Sequence, residues 1–110
     1  MKKILIVGAG FLQVPLIKKA KECGLYTIAV DGDQNAPGFF YADEWECIDI
    51  TDETQCLEYA KEKEINGVIT AATDYGILTV ARIAETMNLP GISYEIAKTV
   101  KNKYLIRKKI

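Results

Sequence analysis

The chain contains no histidine. That single absence removes imidazole acid–base catalysis, Ser-His and Cys-His nucleophilic pairs, and the commonest zinc ligand. Cysteine is scarce too. Cys23, Cys47 and Cys56 are odd in number and show no C-x-x-C spacing, so reduced thiols in a reducing compartment are expected. Long apolar runs are also missing. Met1-Lys2-Lys3 ahead of residues 4–7 has the opening of a signal peptide, but the run stops at Gly8, too short for an h-region or a membrane span. The expectation is a soluble, cytoplasmic protein with no membrane contact. A net charge of −1 over 110 residues argues against a nucleic-acid binder, which would be strongly basic. No carboxylate pair is placed to act as general acid and base, and no metal cluster is visible. Catalytic and metal-ligating residues are therefore assigned to none of the positions.

What is present is an alternation of strand-like and helix-like segments. Residues 4–7 form a continuous apolar β-type run, as in a strand covered on both faces. After Gly8-Ala9-Gly10 the period becomes helical, with Leu12, Leu16, Ala20 and Cys23 on one face and Gly24 as the stop. Pro15 falls in the first turn, where a missing N–H costs little. A second strand is expected at 26–30, a loop at 31–43 and a short third strand at 47–50. A helix capped by Thr51 or Asp52 runs to about Lys63, with Cys56, Leu57 and Ala60 inward. Asn66-Gly67 turns into a fourth strand at 68–71. The helix that follows carries Ile77, Leu78, Val80, Ala81, Ile83 and Ala84 and is expected to be the most buried. Asn88, Pro90 and Gly91 end it, Ile92 opens a fifth strand, and Ser93 can cap a last helical stretch.

This pattern predicts an α/β fold, a Rossmann-like doubly wound parallel sheet of four to five strands in the order 3-2-1-4-5. The last thirteen residues differ from the body. Residues 98–110 hold six basic and no acidic residues, against eight basic and fifteen acidic in residues 1–97. Cations suit a helix C-terminus, but no Gly or Pro ends the segment, which reads better as the start of a helical connector. The division is thus 1–97 for the domain and 98–110 for the connector.

The strongest site feature is Gly8-Ala9-Gly10 between a strand and a helix. The first glycine permits a tight turn, the second lets backbone N–H groups approach an anion, and the helix start adds partial positive charge. The third glycine of a dinucleotide loop is replaced by Gln13. Read otherwise, the segment is a generic strand-to-helix turn. Asp31, about twenty residues on, stands where a dinucleotide site places its ribose-binding acid, or else bonds its own backbone in a turn. Thr70, Thr73 and Asp74 follow the fourth strand and would face the glycine loop across the switch point of the sheet; Thr73 and Asp74 serve equally as helix caps. Asp43, Glu44 and Glu46 read as a solvated face.

Taken as a set, Gly8-Ala9-Gly10-x-x-Gln13-x-Pro15, Ala20-Lys21-x-x-Gly24, Thr27-Ile28-Ala29-Val30-Asp31, Asn35-Ala36-Pro37-Gly38 and Ala42-Asp43 resemble the N-terminal domain of ATP-grasp carboxylate–amine ligases. That group includes biotin carboxylase, the carbamoyl-phosphate synthetase large subunit and glycinamide ribonucleotide synthetase. Asn102-Lys103-Tyr104-x-x-Arg107-Lys108 is similar to the helix leading into the ATP-grasp domain proper. The resemblance implies an enzyme that activates a carboxylate as an acyl phosphate with ATP and Mg2+ and couples it to an amine. It implies that this domain holds neither cofactor and is inactive alone. Gly8, Gly10, Gln13, Asp31, Thr73 and Asp74 would then line the site of a small-molecule substrate (a carboxylate, an amine or a phosphorylated metabolite). The partner would be a following ATP-grasp domain, and a homodimer is compatible. The alternatives are an NAD(P)-binding Rossmann half using Gly8, Gly10 and Asp31, and a non-catalytic interaction domain docking through its basic tail.

Overall fold

The computed structural model describes residues 2–70 and 74–89. Strands β1 (Lys3–Val7), β2 (Tyr26–Asp31), β3 (Glu44–Cys47) and β4 (Gly67–Ile69) form one sheet in the order β3-β2-β1-β4, and every pair is parallel. Helix α1 (Val14–Glu22) joins β1 to β2, α2 (Glu53–Lys63) joins β3 to β4, and α3 (Asp74–Thr86) follows β4. A 3-10 turn at Phe11–Gln13 precedes α1, and another at Pro37–Phe40 lies in the β2–β3 connection, which has no α-helix. The doubly wound parallel sheet expected from the sequence is therefore observed. The fifth strand at Ile92, the helix from Ser93 and the boundary at 97/98 lie outside the described residues.

Strand alternation divides β1 and β2 between two cores. Leu5, Val7, Ile28 and Val30 point to the side of α2 and α3, where they meet Cys56, Ala60, Val68, Ile83 and Ala84. Ile6 and Ala29 point to the other side and pack with Ala9, Ile17, Ala36 and Phe39. That is why the central strands read as unbroken apolar runs.

Three expectations are corrected. Strand β3 spans Glu44–Cys47 rather than 47–50. It is an edge strand, half wet, so apolar content does not mark it. Its register is set by polar contacts instead. The Asp43 carboxylate accepts the Thr27 backbone N–H at 2.8 Å and its hydroxyl at 3.0 Å. Glu44 accepts the Tyr26 hydroxyl at 2.7 Å and pairs with Lys63 at 2.9 Å. Asp43 and Glu44 are thus pinned to the sheet edge rather than forming a solvated face. On α1, Leu12 is 67% exposed and Cys23 is exposed, while Ile17 and Ala20 are the buried pair. The 3-10 turn ahead of Val14 shifts the helical phase, which carries Leu12 outward.

Elsewhere the reading holds. Gly24 adopts a positive φ of 81° after α1, and Asn88 does so at 57° after α3. Asp52 caps α2 by accepting the Gln55 N–H. Among the described helices α3 is the most buried, with Gly76, Thr79, Ala81, Ile83 and Ala84 all inward, and Thr79 donates its hydroxyl to the Ile50 carbonyl. No described helix is long and apolar enough to cross a membrane.

Two predictions follow from this packing. Cys56 is fully buried and its thiol is pushed up to about 12 by loss of solvent, whereas Cys23 and Cys47 are exposed. Titration with a thiol reagent should label two cysteines at once and the third only in denaturant; three fast thiols would contradict the core assignment. Asp43 is held below its usual value first by the Thr27 backbone N–H, and Glu44 first by the Tyr26 hydroxyl and then by Lys63. Because the folded-state values are lowered, their stabilisation is complete above roughly pH 5 and is lost as pH falls through them. Urea midpoints should fall on acidification, and less steeply in Asp43→Asn. Parallel profiles for the two chains would refute this.

Candidate functional site

Strand β1 ends at Val7, and Gly8 turns the chain with φ 99°, a conformation that glycine adopts without penalty. The Gly8 N–H continues onto the Val30 carbonyl at 2.8 Å. Ala9, fully buried, is then held on both sides. Its N–H is taken by Asp31 Oδ2 at 2.8 Å, and its carbonyl accepts the Gly38 N–H at 2.6 Å. The other Asp31 oxygen accepts the Asp33 N–H at 2.8 Å. Asp31 therefore makes the turn contact anticipated from sequence, and also reaches back 22 residues to the glycine loop.

Gln13 is 7% exposed, and its carboxamide folds under the loop. A Cβ on Gly8 would lie 3.6 Å from Gln13 Cδ and Nε2, and one on Gly10 would lie 3.2 Å from Gln13 Oε1. The carboxamide thus fills the space that a third glycine leaves open for close helix–strand packing. Gly10 itself is extended, with φ −68° and ψ −178°. Its carbonyl accepts the Gln13 N–H at 3.0 Å, and among the described residues no acceptor takes the N–H of Gly10, Phe11 or Leu12.

Across the sheet edge, the Thr70 hydroxyl donates to the Val7 carbonyl at 2.7 Å, tying the end of β4 to the end of β1. Their connections leave on opposite faces, α1 packing with Phe39 and α3 with α2, so the glycine loop sits at the switch point where parallel sheets hold ligands. Gly8, Gly10, Gln13 and Asp31 are brought together as expected. Thr73 lies outside the described residues, and Asp74 opens α3 with its side chain outside them too.

Sequence reasoning missed Gly38. A Cβ there would stand 2.6 Å from the Ala9 oxygen and 2.8 Å from Ile17 Cδ1, so only glycine fits. Nothing in the local composition of a Pro-Gly turn distinguishes such a docking glycine from an ordinary one. Also beside the loop, Phe11, Leu12 and Phe40 are 81%, 67% and 86% exposed, on two 3-10 turns that touch each other. Two open grooves, of about 490 and 380 Å3, run along α2 and contain none of the expected site residues. No cluster of three metal-ligating side chains occurs among the described residues.

Residues 4–94 match the family described as PylC-like, N-terminal domain. The chain belongs to that family. Among curated relatives of this PylC-like domain, the formate-dependent phosphoribosylglycinamide formyltransferase of Prochlorococcus marinus is 42% identical over 65 residues, covering 59% of this chain and 16% of its own. The Bacillus velezensis enzyme of the same name is 27% identical and covers 89% of this chain and 33% of its own. Of solved structures, phosphoribosylglycinamide synthetase from Anaerococcus prevotii superposes with a TM-score of 0.84 at 36% identity, over 94% of this chain and 26% of that one. The Bacillus licheniformis L-amino acid ligase shares the fold at 18% identity, with a TM-score of 0.68 over 98% of this chain and 30% of that one. The likeness to the N-terminal domain of ATP-grasp ligases is thereby borne out. The PylC-like domain spans a third or less of the curated relatives' length.

The geometry gives Asp31 a structural duty that can be measured. Asp31→Ala strands the buried Ala9 N–H and should cost about 1–3 kcal/mol. Asp31→Asn keeps an acceptor oxygen and should cost less. Denaturant unfolding of the two variants decides the point, and equal losses would mean that the Ala9 contact is not what matters.

Proposed function

We propose that this domain is the substrate-side N-terminal unit of an ATP-dependent carboxylate–amine ligase that works through an acyl phosphate. In this reading the loop at 8–13 holds an anionic group of a small cytoplasmic metabolite. Phosphoribosylglycinamide, named in the relatives above, makes a phosphoribosyl group the first candidate. The observation that carries the reading is the row of donors at Gly10, Phe11 and Leu12 that no described acceptor takes, set at the switch point of the sheet. The loop binds and orients; Gln13 and Ala9 hold its shape from beneath.

ATP and Mg2+ would supply carboxylate activation in a following ATP-grasp domain. What supports placing them there is that no cluster of three metal-ligating side chains occurs among the described residues and that Lys18, the first cation of α1, lies over the Tyr41 ring at 4.6 Å. Turnover by this domain alone is not expected, because an acyl phosphate needs a closed, water-free site. The exposed Phe11, Leu12 and Phe40 suit a surface that the following domain covers, since apolar patches of this kind are seldom left in water. The dinucleotide reading is disfavoured by two contacts. Asp31 spends both oxygens on backbone N–H groups, and Gln13 occupies the third-glycine position.

Calorimetry of the 110-residue chain against ribose 5-phosphate, Mg-ATP and NAD tests this. Binding of the first and not of the other two is expected. Gly10→Val should weaken ribose 5-phosphate about tenfold, the worth of one charge-assisted hydrogen bond, with an unchanged circular dichroism spectrum. Micromolar NAD binding would establish the dehydrogenase reading instead, and micromolar Mg-ATP binding would place the nucleotide in this domain.

A further inference from the structure

We infer that Gly38, in the β2–β3 connection rather than in the glycine loop, is the positioning residue that aims the Gly10 N–H at the ligand. The inference rests on the reading of the loop as substrate-facing. The Ala9 carbonyl and the Gly10 N–H belong to one peptide unit, which is planar and trans, so the two groups point in opposite directions. The Gly38 N–H draws the Ala9 carbonyl to itself at 2.6 Å. The same bond therefore directs the Gly10 N–H away from the Pro37–Phe40 turn, to the side where no described acceptor meets it.

Free rotation of that peptide is blocked from two directions. Asp31 Oδ2 fixes the preceding N–H, on Ala9, and the Gln13 N–H fixes the following carbonyl, on Gly10. Gly38 is held in place in turn. Phe39, next in sequence, is 6% exposed, packs into the Ile6–Ala9–Ile17 core and stacks on Trp45 with ring centroids 4.4 Å apart. A side chain at position 38 cannot be absorbed by a rotamer change, because two of the three atoms it meets are the Ala9 backbone oxygen and carbon, at 2.6 and 3.0 Å. The turn must retreat, and the Ala9 carbonyl loses its donor.

The test compares Gly38→Ala with Ile83→Val, a fully buried position in the opposite core, chosen to give a similar loss of Tm. Affinity for ribose 5-phosphate is measured below both transitions, and the Gly10 N–H residual dipolar coupling is measured in each folded chain. Gly38→Ala is expected to lose about tenfold in affinity and to change the Gly10 coupling, whereas Ile83→Val changes neither. Equal affinities for the two variants, with wild type binding, would overturn the inference while leaving the proposed function standing. If wild type fails to bind ribose 5-phosphate, the substrate reading falls. The coupling still decides the positioning role, and an unaltered Gly10 coupling in Gly38→Ala sinks it. Should Gly38→Ala not fold, Phe39→Ala loosens the same turn without a clash and is held to the same two readouts.

Discussion

The peptide groups of Ala9 are where the molecule's three leading segments meet. Beyond Val7 the β1 ladder has ended, yet Ala9 is fully buried, so its N–H and C=O need partners that the sheet no longer supplies. A buried backbone group left unpaired costs about 1–3 kcal/mol. Both partners come from the next strand and its connection: the Asp31 carboxylate at the end of β2, and the Gly38 N–H in the turn that leads to β3. The glycine loop and the long segment after β2 are therefore one structural unit, although nearly thirty residues separate Ala9 from Gly38. The closeness of that approach, with a Cβ on Gly38 only 2.6 Å from the Ala9 oxygen, leaves little freedom to replace one half without the other.

That arrangement redirects the parts of a dinucleotide-binding loop. Such a loop spends its glycines on a turn, a close phosphate and a close helix, and reserves its acid for a ribose. Here the turn is kept at Gly8, the acid is consumed by backbone donors, and the third position carries a buried carboxamide. An acid bonded to the loop also places negative charge beneath it, countered by the two N–H groups it accepts. An approach from above, to donors at Gly10, Phe11 and Leu12, disturbs nothing.

Much of this was legible in the residues. The runs at 4–7 and 26–30, the helix stops at Gly24 and Asn88, and the Asp52 cap all express local physics: two-sided burial, positive φ and an orphan N–H. The glycine loop and its switch-point position follow from that alternation, and Asp31 was picked out for its spacing. What escaped was non-local or wet. Strand β3 is a single short alternation, Glu44-Trp45-Glu46-Cys47, mostly exposed and held by Thr27, Tyr26 and Lys63 from elsewhere, and those partners cannot be read from the segment itself. Leu12 turns outward because the 3-10 turn at Phe11–Gln13 breaks its phase with α1, and Cys23 because it is the C-cap, past the last helical residue. Gly38 stands in the Asn35–Gly38 motif, but its role could not be read there, because its reason for being glycine lies on another loop.

The two faces of the sheet divide the labour. Among the described residues the α2–α3 side carries a cluster of twelve buried residues, mostly aliphatic, and the α1 side a cluster of six, two of them in the segment after β2. Within the described residues the larger apolar core lies on the face away from the glycine loop, and the face beside it is closed largely by Ile17, Phe39 and peptide contacts. Local opening is drawn from regions with few buried apolar contacts, so the loop and the Pro37–Phe40 turn should move as a pair before the α2–α3 core yields. A ligand that uses the Gly10–Leu12 donors then gains from an already anchored Ala9. In the proposed reading, the part of the loop costliest to order is ordered by the protein itself, and the donors that no described acceptor takes face the ligand.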